Sequence, residues 1–380
     1  RLIRRQRQMC IRDSNKTVTA GSLALTGAGA GNYTLSNFTT TFEITPRILN
    51  SSGTRIYDGS ITANASDLSL SNLVGSETLN LSGSGTLLSA AVGNSKNVAK
   101  NTLSLSDNSG SASNYTLDGG THLMNITQRP ITLVASREYD GSNILDGASV
   151  STTFTYSNLV GSEILSQTGT GTVSNKNVGS GKAVTVTNLG LLDGSGAASN
   201  YNLTSSTLTI TTRPLSLSGS RVYDSTTSVT ASDLSTITNL VGSETIILSG
   251  NGVIGNKNVA DSIALTNFSG LSLGDGSNGG LASNYTLSGG THTVNVTKRP
   301  VTISGSKTYD GSTPVQNSSI STISNRAGGE TLNLNGSGTV DSAAVGTNKA
   351  ISLGSLALVD NSGLAANYEL SSGSFDVNVR

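Results

Sequence analysis

Two sets of carboxylates recur in this chain at near-constant intervals. Asp58, Asp140, Asp224 and Asp310 each follow a tyrosine (Tyr57, Tyr139, Tyr223, Tyr309). Gly59, Gly141 and Gly311 follow three of these aspartates, and Ser225 follows the other. Glu77, Glu163, Glu244 and Glu330 come 19 to 23 residues after the aspartates. Paired carboxylates about 5–10 Å apart can hydrolyse a glycosidic bond. A glycosidase also wants aromatic platforms for sugars, and the chain has no Trp. One active site in every repeat is implausible as well. The reading preferred here is structural: Asp bonds its own backbone in a turn, and Glu caps a turn or pairs with Lys176, Lys257 or Lys349.

A third acidic set, Asp107, Asp193, Asp275 and Asp360, opens turns of the form Asp-(Asn/Gly)-Ser-Gly. Oxygen-rich turns with Gly suit calcium, but each offers one carboxylate where good sites gather several. These four are therefore weak calcium candidates, and neither a resident metal nor a cofactor is expected. His122 and His292 both sit in Gly-Gly-Thr-His. A residue doing chemistry in every unit should recur in every unit, and Leu208 and Phe375 stand for His in the other two. The position reads as packing. Gly179-Ser180-Gly181-Lys182-Ala183 lacks the full phosphate-loop form, and no helix follows it. No nucleophile–His–acid set can be assembled, so no catalytic residues are assigned.

The elements that must hold these residues follow from the period. The Tyr-Asp tyrosines are spaced by 82, 84 and 86 residues. An Asn-Tyr pair keeps step at Tyr33, Tyr115, Tyr201, Tyr285 and Tyr368. Such regularity means tandem copies of one unit. The expected divisions are 15–45 (the end of a truncated repeat), 46–129, 130–213, 214–299 and 300–380. Each copy reads as short strands. In the opening strand Ile131, Leu133 and Ala135 alternate with Thr132 and Val134, the signal of a half-buried strand. A Tyr-Asp-Gly turn follows, then Asn-Leu-Val-Gly-Ser-Glu, then an Asn-Lys turn at Lys176, Lys257 and Lys349, with Lys96 a looser match. The Asp turn, an Asn-Tyr-x-Leu strand and a closing strand complete the unit. No window of eleven residues carries a helical apolar stripe.

The expected fold is all-β. Tandem units of about 84 residues are each a small β-sandwich-like body, immunoglobulin-like or alternatively β-grasp-like. A continuous β-helix would show a period of about 20–30 residues. The Asn-Tyr tyrosine is analogous to the tyrosine corner of immunoglobulin-like sandwiches, whose hydroxyl bonds to upstream backbone. Arg-Pro at each boundary stiffens the joint, which suggests an elongated rod.

Residues 1–14 stand apart, with five Arg and the only Cys. Arg4 to Ser14 resembles the translation of a transposase-type sequencing adaptor, so this leader is set aside as non-native. The rest carries 18 Lys and Arg against 22 Asp and Glu, a charge of −4. That balance argues against a nucleic-acid partner. It contains no Cys for a disulfide framework. No apolar run reaches the length of a membrane span.

In order, Ile-Thr-x-Arg-Pro, a strand, Tyr-Asp-Gly, Gly-Ser-Glu, Asn-Tyr-x-Leu and Val-Asn-Val-Thr-Lys-Arg-Pro resemble the YDG-type repeats of large bacterial exoproteins such as filamentous-haemagglutinin-like adhesins. The resemblance spans nearly all of 15–380; Ser225 in place of Gly is its main departure. It implies a secreted or surface-exposed β-repeat segment associated with a bacterial outer membrane. The expected role is a stalk, with weak multivalent contact to host or environmental glycans or surface proteins. The alternatives are a glycan- or calcium-binding module, or the spacer of an extracellular enzyme.

Overall fold

The computed structural model describes residues 16–18, 22–35, 40–370 and 376–379. The leader 1–14 lies outside them, as does Phe375. Among the described residues the regular structure is all strand, apart from three-residue 3-10 turns such as Ala198–Asn200. No helix among them is long and apolar enough to cross a membrane.

The copy beginning at Arg129 shows the plan. Its opening strand, Arg129–Glu138, pairs in parallel with the closing strand, Tyr201–Thr211. Thr153–Ser157 pairs antiparallel with the opening strand, and Gly179–Ala183 with the closing strand, giving a four-stranded sheet. Ile144–Asp146, Leu165–Thr172 and Thr185–Asp193 form a second sheet, all antiparallel. Gly179–Ala183 and Thr185–Asp193 are separated only by Val184. One stretch of chain thus crosses from the first sheet to the second. In the preceding copy a single strand, Gly93–Ala99, pairs with both sheets.

The parallel pairing of opening and closing strands recurs in all four copies, and so does its start: Arg47 faces Tyr115, Arg129 faces Tyr201, Arg213 faces Tyr285 and Arg299 faces Tyr368. The predicted alternation is present. Ile131, Leu133 and Ala135 are buried to within 1% of complete, whereas Val134 is exposed. Leu133 and Ala135 share a core with residues of both sheets, including Leu145, Leu189, Leu208 and Ile210, whereas Ile131 joins the core that reaches into the preceding unit. Burying several such side chains, each worth about 1.5–3 kcal/mol, is what holds together a unit that has no Cys.

Strand register corrects two alignments made from spacing. Lys16 pairs with Phe42, Lys96 with Met124, Lys182 with Leu208 and Lys349 with Val377. These four lysines form one column. Lys176 and Lys257 belong to another, so Lys349 is not their counterpart. In the same register Ser51 faces His122, whereas Leu133 faces Ser206. Ser206, not Leu208, therefore holds the histidine position in the second copy. Its closing strand runs from Tyr201 without the Gly-Gly turn that brings His122 into place.

Candidate functional site

The Tyr-Asp tyrosines of the first three units reach across the joint to the glutamate of the next unit, which that unit's own Asn-Tyr tyrosine also binds. The Tyr57 hydroxyl donates to Glu163 Oε1 of the next unit at 2.7 Å, and Tyr201 donates to Oε2 at 2.5 Å. Tyr139 and Tyr285 grip Glu244 in the same way, at 2.8 and 2.6 Å. Tyr223 and Tyr368 grip Glu330 at 2.8 and 2.6 Å. Each tyrosine pair also packs edge to face, with ring centroids 5.4–5.5 Å apart, a favoured aromatic geometry.

Every later tyrosine completes its bonding on the backbone. Its oxygen accepts from an amide of the Asn-Leu-Val-Gly-Ser-Glu turn or its equivalent: Val160 to Tyr201 at 3.0 Å, Val241 to Tyr285 at 3.1 Å and Ala327 to Tyr368 at 3.2 Å. The hydroxyl bonds to upstream backbone, but not to the near backbone that a tyrosine corner uses. The amides lie 41 to 44 residues back.

Further groups close each joint. Asn200, Asn284 and Asn367 accept from the Val92, Val178 and Val259 amides of the preceding unit, at 2.9–3.0 Å. Arg129, Arg213 and Arg299 each donate through Nε to the carbonyl of Asn158, Asn239 or Asn325. A second nitrogen of each reaches back to the carbonyl of Tyr57, Tyr139 or Tyr223. These arginine and asparagine roles were missed in the sequence. Their signal was only that Arg-Pro and Asn-Tyr keep step with the period.

At two joints a lysine also reaches the glutamate. Lys176 lies 2.6 Å from Glu244 and Lys257 lies 3.3 Å from Glu330, each lysine coming from the preceding unit. The expected Glu–Lys pairing exists at these two, across the joint. Lys349 instead lies 3.8 Å from Asp341. Burial disfavours the charge on Glu244, but the donors Lys176, Tyr285 and Tyr139 outweigh it and hold the carboxyl below its ordinary value. Glu330 is lowered likewise, burial being overcome by Tyr368, Tyr223 and Lys257. Burial, reinforced by the adjacent carboxylates, pushes Tyr57, Tyr223, Tyr285 and Tyr368 up to about 12.

Steric fit at the joint is paired. The Tyr-Asp-Gly corner takes positive φ, +77° at Gly59 and +78° at Gly141. A Cβ on Gly59 would stand 2.8 Å from Val160, and one on Gly141 would stand 2.6 Å from Val241. At the third joint Ser225 holds this corner with φ +67°. There the next unit offers Ala327 in place of the valine, followed by Gly328. A Cβ on Gly328 would come within 2.1 Å of the Ser225 hydroxyl. A larger residue on one side is matched by a smaller one on the other.

The remaining candidates are placed separately. Oδ1 of Asp58, Asp140, Asp224 and Asp310 accepts from the backbone amide two residues on, each at 2.9 Å. Each of these aspartates also pairs with a base three residues earlier: Arg55, Arg137, Arg221 or Lys307. Asp107, Asp193, Asp275 and Asp360 each accept from the first amide of a 3-10 turn at 2.7 Å. That turn leads into the Asn-Tyr strand. Among the described residues no three acidic, Cys or His side chains gather as a metal group. The glycine of the same turn serves the joint, since a Cβ on Gly196 would sit 2.5 Å from Glu163 Oε2.

His122 is buried. Its Nε2 lies 3.0 Å from the Leu117 carbonyl, which can only accept, so that nitrogen carries the proton. Nδ1 then accepts from Ser51 at 2.9 Å. His292 holds the Leu287 carbonyl at 2.8 Å and packs edge to face with Phe268. Gly179–Ala183 is a strand, with Lys182 bonded to Asn175 at 2.7 Å.

The YDG domain model matches residues 39–122, 124–210, 206–294 and 292–375. The chain belongs to the YDG domain family. No curated protein matches it. In the first three of these units the tyrosine of the Tyr-Asp corner bonds to the glutamate of the following YDG unit.

Proposed function

We propose that this chain is a structural, stalk-like segment of a large secreted or surface-exposed bacterial adhesin, with no enzymatic role of its own. The supporting observation is where the recurring polar residues are used. Tyr57, Glu163 and Tyr201, with their counterparts, are bonded to one another across joints. Side chains so engaged serve cohesion between units and are not held ready for a substrate. In this reading each unit is a sandwich, immunoglobulin-like or β-grasp-like, and the units stack as a rod with contacts only to neighbours. Many exposed copies then allow weak contacts with glycans or surface proteins to add up.

Small-angle scattering of the full chain tests the stalk. A compact body of this length has a radius of gyration of about 21 Å. The expected value is at least half as large again. A radius near the compact figure removes the stalk. Beads coated with the chain test the contact role, which is dropped if they bind cell surfaces no better than bare beads.

A further inference from the structure

The three joints share one plan, yet two of them hold groups that the other lacks. Lys176 in the second unit and Lys257 in the third stand two residues before the valine whose amide bonds across the joint. Asn177 and Asn258 stand one residue before it. In the first unit the same two places, before Val92, are Ala90 and Ala91. The valine fixes the correspondence, because the Val92, Val178 and Val259 amides donate alike to Asn200, Asn284 and Asn367.

The lysine and the asparagine each supply a contact that a methyl group cannot. At the second joint Lys176 reaches Glu244 at 2.6 Å and lies 5.8 Å from the centre of the Tyr139 ring. Asn284 there donates through Nδ2 to Asn177 at 3.2 Å. At the third joint Lys257 reaches Glu330 at 3.3 Å, and Asn367 donates to Asn258 at 2.9 Å. Among the described residues no base pairs with Glu163, whose oxygens are held by the Tyr57 and Tyr201 phenols. A carboxylate drawn out of water without a counter-ion is less well held than one beside an ammonium.

Other differences do not restore the balance. At the first joint Gln128 donates to the Ser199 carbonyl at 3.2 Å, but that bond is exposed and uncharged. The second joint has a further ion pair, Arg213 with Glu138 at 3.3 Å. Ile56 and Val222 occupy the place of Glu138 at the other two. The second joint is therefore the most heavily bonded and the first the least.

We propose that the joint between the first two units is the hinge of this chain. It opens more often than the others, while the second and third joints keep the units after it together. The chain then yields at one place and not evenly along its length. This goes beyond the stalk role: a stalk with three equal joints would be as long, and its scattering does not rank them.

Amide hydrogen exchange of the full chain, followed residue by residue by NMR, reads each joint through its own valine. Each of the three amides is bonded across its joint, so its protection measures how rarely that joint opens. The protection factor of Val92 should be about tenfold lower than those of Val178 and Val259, as the loss of one net hydrogen bond implies. Ala90→Lys together with Ala91→Asn should raise it about tenfold. Lys176→Ala together with Asn177→Ala should lower Val178 by as much and leave Val92 unchanged. The amides of the Arg129–Glu138 strand pair within their own unit on both sides. They should keep their protection in both variants, which separates an opened joint from an unfolded unit. A Val92 amide protected as well as the other two, or better, overturns the proposal. So does a Val92 amide whose protection the introduced lysine and asparagine leave unchanged.

Discussion

A carboxylate taken out of water is costly unless its oxygens find donors. Glu244 finds three: two phenols on opposite sides of a joint and the Lys176 ammonium. Hydrogen bonds to a charged acceptor are the stronger kind, about 1.5–3 kcal/mol each. Tyr139→Phe keeps the ring packing and removes one such bond. It should lower the stability of the joined second and third units by about 2 kcal/mol. Glu244→Ala should cost more, about 3–5 kcal/mol, because it leaves two phenols and an ammonium facing an absent acceptor. Urea unfolding of the full chain reads both. An unchanged midpoint for Tyr139→Phe would mean that the bond contributes nothing net.

Between elements, the corner of one unit and the turn of the next behave as a matched pair. Gly141→Ser should destabilise by about 1–3 kcal/mol, because its Cβ would meet Val241 and its backbone sits at positive φ. Val241→Ala should recover much of that loss, reproducing the Ser225 and Ala327 combination of the third joint. A double-mutant cycle measures the coupling. If the two changes simply add, the fit described here is not the reason for the natural swap. The same pair shows what the sequence could and could not convey. Strand alternation was legible because burial repeats every two residues within one unit, as at Ile131, Leu133 and Ala135. The motif residues were legible as structural because they recur. Their partners were not, because Tyr57 and Glu163 are 106 residues apart, which is more than one period. The only trace was that Ser225 and Ala327 depart from the pattern together. The lysine columns were confused for a related reason. Asn-Lys occurs at two different depths of the unit, and strand register separates Lys176 from Lys182. A better guide was present in Gly93-x-x-Lys96, Gly179-x-x-Lys182 and Gly346-x-x-Lys349.

Across the whole molecule the joints make separate cores behave as neighbours. One continuous set of buried apolar residues runs from Leu133 through Tyr139, Tyr285 and Tyr223 to Tyr368, crossing two joints. Stability is then a sum of unit terms and joint terms, and the joint terms share one dependence on pH. Glu244 and Glu330 have carboxyls held below their ordinary value of 4.5. Their contribution is complete above that value and drains as pH falls through the lower folded values. Tyr57, Tyr223, Tyr285 and Tyr368 are raised from 10.0 to about 12. Their contribution is complete below pH 10 and is lost as pH climbs through about 12, because the folded state then holds protons that the unfolded chain has released. The melting temperature of the full chain should therefore be level from about pH 5 to about pH 10 and fall on both sides. The alkaline fall is the diagnostic limb. Tyr223→Phe removes one phenol from it, so that variant should start from a lower plateau and decline less steeply above pH 10. A variant that declines as steeply as the parent would show that the joint phenols do not set the alkaline limit.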